Sequence, residues 1–119
     1  MNQSAYLLDL PRRVLVFLGI LAACEARGWK LFAAHVRENH VHIVVEASCP
    51  AAKAAHGFKA YASKFLNEAR IDPPDRRRWA RHYSARLMMS REAREQAIQY
   101  VATKQGEPMS LYVVDERIA

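Results

Sequence analysis

Two runs rich in β-forming residues, Trp29–Val36 (WKLFAAHV) and His40–Glu46 (HVHIVVE), are separated by only Arg37, Glu38 and Asn39. A connection this short joins antiparallel neighbours, because parallel strands need a crossover of about a dozen residues or more. The chain is therefore built around a hairpin, closed downstream by Ser48 and Pro50. A helical pattern flanks it on each side. Upstream, Val14, Phe17, Leu18 and Leu21 recur at i, i+3, i+4 and i+7. Pro11 suits the first turn of that helix and Gly28 its end. Downstream, Phe58, Tyr61, Ala62, Phe65, Leu66 and Ala69 hold the same periodicity until Asp72, Pro73, Pro74 and Asp75 break it.

The apolar run Val14–Cys24 is too short to cross a bilayer, which takes about twenty residues. Asp9, Arg12 and Arg13 ahead of it do not fit a signal peptide. It reads as a buried helix, and no membrane association is expected. Ala5–Leu10 (AYLLDL) predicts a short first strand. Tyr83–Met89 predicts another, entered by a basic loop, and Ser110–Val114 (SLYVV) a last one. Between these two, Ser90 suits an N-cap and Glu92 the first turn of a helix running from Arg91 to about Gln105, ended by Gly106 and Pro108. The order strand, helix, strand, strand, helix, strand, helix gives an α+β fold. We expect a ferredoxin-like antiparallel sheet with helices on one face, plus a C-terminal helix that carries Tyr100. With 119 residues, about half of them apolar, residues 1–119 form a single domain.

Lys and Arg total 18 against 12 acidic residues, a net charge of +6, and the isoelectric point is near 9.7. Such a balance favours an anionic partner, and nucleic acid above others, because each neutralised phosphate releases counterions. Cys24 and Cys49 are the only cysteines. They form neither a disulfide framework nor a zinc knuckle and fit reduced residues of a cytoplasmic protein.

His40 and His42 stand at the start of a predicted strand, where side chains alternate between faces. Both imidazoles then point one way, suited to gripping one divalent cation, while Val41 and Val45 point into the core. A second element is Tyr100, in AIQYVATKQGEP. Ala97, Tyr100, Val101 and Lys104 share one side of their helix, which suits a core aromatic. Gln96, Gln99, Thr103 and Lys104 are polar and suit a helix edge, so the residues alone leave both roles open. A phenol with its ordinary pKa near 10 is a weak nucleophile, and a cation on the attacked phosphate would help it.

VRENHVHIVVEA, FKAYASKFLNEAR and QAIQYVATKQGEPMSLYV together resemble the HUH single-tyrosine transposases, which mobilise insertion sequences as single strands, and the related REP-associated tyrosine transposases. The likeness runs from about Tyr6 to Tyr112. Its sharpest part is the histidine pair, followed at this distance by a helical Tyr-Gln pair. It implies that His40 and His42 bind magnesium or manganese with a polar side chain from the tyrosine helix. It implies that Tyr100 attacks a DNA phosphate, leaving a 5′-phosphotyrosine link and a free 3′-OH, and that reversal rejoins strands. It further implies a homodimer and a single-stranded DNA substrate, including hairpins. Two features depart from the pattern. The family's glutamine ligand often lies one turn after the tyrosine, whereas Lys104 stands there and the glutamine is Gln105, some 140° round the helix. Relatives also carry a longer first strand, with more sequence before it than precedes Tyr6 here. Gln105 is taken as the third ligand ahead of Glu107.

Arg76, Arg77, Arg78 and Arg81, with Trp79, His82 and Tyr83, interleave cations with base-stacking rings, as single-strand binders do. A loop anchored by one buried tryptophan explains Trp79 equally well. Lys59 and Lys64 are further candidates for a DNA path. His35 is expected as a buried histidine or one beside the site rather than a ligand. His56 and His82 are expected at the surface or on DNA, and Tyr61 in the core. Two other functions remain open to the sequence: a domesticated domain that binds folded single strands without cutting, and a phosphodiesterase using metal-bound water.

Overall fold

The computed structural model describes residues 6–79, 83–87, 95, 96, 98, 99 and 110–113. The elements run in the order α1 (Leu10–Arg27), β1 (Lys30–Val36), β2 (Val41–Glu46), α2 (Ala51–Glu68), β3 (Tyr83–Leu87) and β4 (Ser110–Val113). The strands form one sheet in the order β3-β2-β1-β4. Helices α1 and α2 pack together over one face, so the expected α+β layering forms. Glu95, Gln96, Ile98 and Gln99, within the expected C-terminal helix, are helical. No helix among the described residues is long and apolar enough to cross a membrane.

Two features of the sheet differ from the sequence reading. Residues 6–9 form no strand, and Leu10 is already helical. Asp9 instead caps α1, its carboxylate accepting from the Arg12 N–H at 3.2 Å, and Pro11 sits in the first turn. A cap that satisfies an otherwise unpaired helix donor outweighs the weak strand tendency of so short a run. The place along β1 is taken by β4, paired antiparallel through Ala33↔Val113 to Val36↔Ser110. The other difference is β3, which runs parallel to β2, with Val41↔Tyr83 and His42↔Ser84 in register. Helix α2 is the crossover that a parallel pair requires.

The helical layer also corrects the phase of α1. Its buried side is Val16, Gly19, Ile20, Ala23 and Cys24, while Val14 and Leu18 are 46% and 42% exposed. The fully buried stripe is offset by two residues from the expected one, of which Phe17 and Leu21 still pack at the margin of the core. The cause is close packing between helices. A Cβ built on Gly19 would stand 2.6 Å from the Cα of Ala62, so only glycine lets α1 approach the α2 backbone. From α2 come Ala54, Gly57, Phe58, Ala62 and Leu66, with Tyr61 packed at the margin as a core residue. Gly57 makes room for Trp29, which meets Phe58 edge-on at 5.2 Å. Gly28 ends α1 with φ 68°, its N–H donating to the Cys24 carbonyl, as its position predicted. Burial among these residues pushes the Cys24 thiol up to about 11, which leaves it protonated and unreactive.

Candidate functional site

The tip of the β1–β2 hairpin is closed by the Arg37 N–H donating to the His40 carbonyl at 2.8 Å. Beyond it the strands pair Val36↔Val41, His35↔His42 and Ala34↔Ile43. Val41, Ile43 and Val45 join the core beneath α1 and α2, with Leu31, Ala34 and Val36 from β1. Strand alternation then sends His42 and Val44 to the other face. There the His40 and His42 rings are stacked, with centroids 4.2 Å apart and planes at 18°. The structure thus brings the predicted pair together on one sheet face. Both residues are half-buried, neither sealed in the core nor fully in water.

The pair supplies two imidazoles as candidate ligands for one cation. Two nitrogens each about 2.1 Å from one ion, at near right angles, lie about 3 Å apart. The two rings stand wider than that, 4.2 Å between centroids and nearly parallel, so they must turn toward each other for one nitrogen from each to meet a shared ion. Two nitrogens do not complete a site for magnesium or manganese, which prefer several oxygen ligands. Among the described residues no cluster of three or more His, Cys, Asp or Glu is placed to hold a metal. The expected third ligand, Gln105, and the expected nucleophile, Tyr100, lie outside the described residues, as does Arg81.

The histidine face carries its own small core of Phe32, Ala33 and Val44, and Ile98 packs against it. A bulge between Leu31 and Ala33 lets both Phe32 and Ala33 reach this face. Ile98, two residues before Tyr100 in sequence, is therefore set against the face that presents the histidines. His35, directly opposite His42, is 1% exposed and is the one buried polar residue among the described residues.

The basic candidates divide by location. Lys59 and Lys64 belong to α2, on the helical layer, and the sheet stands between that layer and the histidine pair. Arg76 to Trp79 lie in the loop after α2, which the sequence reading treated as a DNA contact. Arg77 is exposed. Arg76 places its guanidinium 5.1 Å from the centre of the Tyr6 ring. Arg78 is engaged otherwise: its Nε donates to Asp72 at 3.2 Å, and its side chain is 7% exposed. Trp79 packs against the helical core and donates its indole N–H to Ser63 Oγ at 2.7 Å. It anchors the loop, the simpler of the two roles the sequence allowed.

Arg78 is held by a residue whose place among prolines marks it in the sequence only as a helix breaker. Asp72, with a side chain 4% exposed, accepts from Tyr6 Oη at 2.5 Å, from Arg12 Nη2 at 2.8 Å and from Arg78. Burial pushes its carboxyl up, but the hydrogen bonds from Tyr6, Arg12 and Arg78 outweigh this and hold it below the usual carboxylate value. Burial and the Asp72 carboxylate together raise the Tyr6 hydroxyl above its ordinary value. The network reaches the hairpin, because the Leu8 N–H donates to the Glu38 carbonyl. It thereby fixes the N-terminal segment, the start of α1 and the basic loop at the end of the sheet that bears the histidines. Partners 60 and 66 residues apart leave no local pattern, and only an acid set among prolines before an arginine run hints at it.

No curated protein and no solved structure matches the chain significantly. The family described as transposase IS200-like matches residues 18–104, well over half the chain and a span that includes the hairpin, both histidines and α2. A match of that extent, over a sheet face carrying paired histidines, places this chain in the IS200-like transposase family.

Proposed function

We propose that this transposase-family protein is a metal-dependent endonuclease and transesterase that cleaves and rejoins single-stranded DNA through Tyr100. One observation carries the reading: His40 and His42 are stacked on the sheet face against which Ile98 packs, two residues before Tyr100 in sequence. His40 and His42 would hold magnesium or manganese, with Gln105 as the third protein ligand. When bound, the cation neutralises charge on the scissile phosphate and orients it.

The remaining chemistry belongs to the chain. The Tyr100 oxygen loses its proton and attacks phosphorus. The new O–P bond forms as the bond from phosphorus to the 3′ oxygen breaks, and that oxygen leaves as a hydroxyl after taking up a proton. The 5′-phosphotyrosine keeps the energy of the broken ester, so a second 3′-OH can reverse the step and join strands with no nucleotide cofactor. The net charge of +6 and the exposed Arg77 beside Arg76 supply attraction for the strand. A homodimer is the expected assembly.

The test is a labelled single-stranded hairpin incubated with the protein and manganese, then run on a denaturing gel. A protein–DNA adduct that survives denaturation, and is lost in Tyr100→Phe and His40→Ala, is the expected result. Strand cleavage without adduct, unaffected by Tyr100→Phe, would mean that water is the nucleophile. Tight binding with neither adduct nor cleavage would make this a binding domain that no longer cuts.

A further inference from the structure

We infer that His35 is a positioning residue of the His40–His42 site, fixing the orientation of the His42 ring from the neighbouring strand. The inference rests on the proposed cation site and adds to it a residue outside the histidine motif. Three observations carry it. His35 and His42 are register partners in the antiparallel β1–β2 ladder, which puts their Cβ atoms about 4.5–5.5 Å apart on one face. His35 is 1% exposed, while Phe32, Ala33 and Val44 on the same face are apolar. Finally, ring nitrogens of both residues, Nδ1 of His35 and Nε2 of His42, are shielded from solvent.

A position this deep in a strand is normally filled by an aliphatic side chain, because a buried imidazole must be given hydrogen-bonding surroundings. A histidine belongs there when its polarity is used. His42 is held on one side by the stacked His40 ring. His35 stands on its cross-strand side, within reach of an imidazole's own size. A histidine that ligates through one nitrogen depends on what meets the other, since that contact fixes tautomer and ring plane. Water would do this loosely at a half-exposed position. A buried imidazole, itself unable to reorient into solvent, does it rigidly. His35 does not join the pair as a third ligand, because no cluster of three among the described residues is placed to hold a metal.

The experiment measures Mn2+ binding to the full chain without DNA, by electron paramagnetic resonance titration, so that activity plays no part. Wild type, His40→Ala, His35→Leu and His35→Gln are compared, with His35→Phe in place of the leucine variant if that one does not fold. Circular dichroism and melting in EDTA are recorded for each. We expect His40→Ala to lose binding and His35→Leu to bind about 10–100-fold more weakly, as removal of a partner behind a metal ligand does. His35→Gln, which keeps hydrogen-bonding groups, is expected to recover most of the affinity. The number of imidazole nitrogens coupled to bound Mn2+ should stay at two in wild type and in His35→Gln. If wild type and His40→Ala alike bind no Mn2+, the cation site itself is wrong, and this inference falls with it. If wild type binds, His40→Ala does not, and His35→Leu matches wild type, the site stands and the positioning role alone is overturned. It is overturned equally if His35→Gln loses as much as His35→Leu, or if a third coupled nitrogen disappears with His35.

Discussion

On the face that meets α1 and α2, the hairpin presents only aliphatic side chains: Leu31, Ala34, Val36, Val41, Ile43 and Val45. On the other face Phe32, Ala33 and Val44 give way, toward the hairpin tip, to His35, His40 and His42. One ladder of backbone hydrogen bonds thus carries two surfaces of opposite kind, because alternate residues point opposite ways. The helical side is closed by contact so near that Gly19 and Ala62 approach backbone to backbone. The histidine side is half-open and is covered, among the described residues, by Ile98. The difference puts stability on the helical face and, on the proposed function, chemistry on the histidine face. Substitutions on the two faces should therefore separate folding from function.

The largest expected effect is on the histidine side and leaves folding alone. His42→Ala should remove adduct formation altogether in the denaturing-gel assay, while the far-ultraviolet circular dichroism stays that of wild type. A variant that lost both would show that the histidines are part of the core, and the division between faces would fail.

Next comes Asp72→Ala, which leaves Arg78 buried with no carboxylate. Removing one member of a buried ion pair costs about 3 kcal/mol, discounted here because Arg12 keeps partial contact with water. Urea denaturation should show a loss of about 2–3 kcal/mol. The sign of the pH dependence follows from the lowered carboxyl. Asp72 contributes its stability above the ordinary carboxylate value, near 3.9, and the contribution is lost as pH falls through the lower folded value. Asp72→Asn should accordingly flatten the acid limb of stability below about pH 4. An unchanged limb would assign acid unfolding to other carboxylates.

Gly19→Ala tests the helical side with a single methyl. Its Cβ would meet Ala62 Cα at 2.6 Å, so the two helices must part. Overpacking of this kind costs about 1–3 kcal/mol, read as a fall in the urea midpoint. Metal binding should be unchanged, since the histidines lie across the sheet.

Much of this was legible because it was local. Three polar residues between β-rich runs dictate a hairpin, and alternation along His40–Val45 fixes which side chains share a face. The phase of α1 was not legible, since Val14–Cys24 is apolar on every side and periodicity cannot choose among its faces. What chose was the smallness of Gly19, which matters only once α2 is present. Nor could the sequence reveal that Tyr6, Arg12 and Arg78 converge on Asp72, or that β3 lies parallel to β2. Both depend on contacts between distant segments, which leave no periodic trace. The residues of the proposed cation pair were legible by motif and strand period; His35 became informative only when the register set it opposite His42.

The smallest expected effect compares the two faces as routes for DNA. Arg77 is exposed in a loop that Trp79 ties to Ser63 of α2 and Asp72 ties to Tyr6 and Arg12, whose N-terminal segment meets the hairpin tip through Leu8 and Glu38. The same loop leads toward β3, whose Tyr83 pairs with Val41 beside His40. Lys64 is exposed too, but on α2, behind the sheet. Both were candidates for phosphate contact, and each carries one positive charge. If the strand follows the histidine end, Arg77→Ala removes one phosphate contact. The slope of log affinity against log salt should then fall by about 0.7 on single strands. Lys64→Ala should change the affinity only slightly at low salt, through the lost long-range charge, and leave the slope as it was. Fluorescence anisotropy of a labelled single strand, titrated at several salt concentrations, separates these outcomes. Equal changes in slope for both variants would mean that the strand wraps round the edge of the sheet onto α2. A change for Lys64 alone would put the DNA on the helical face, and the comparison between faces would have to be redrawn.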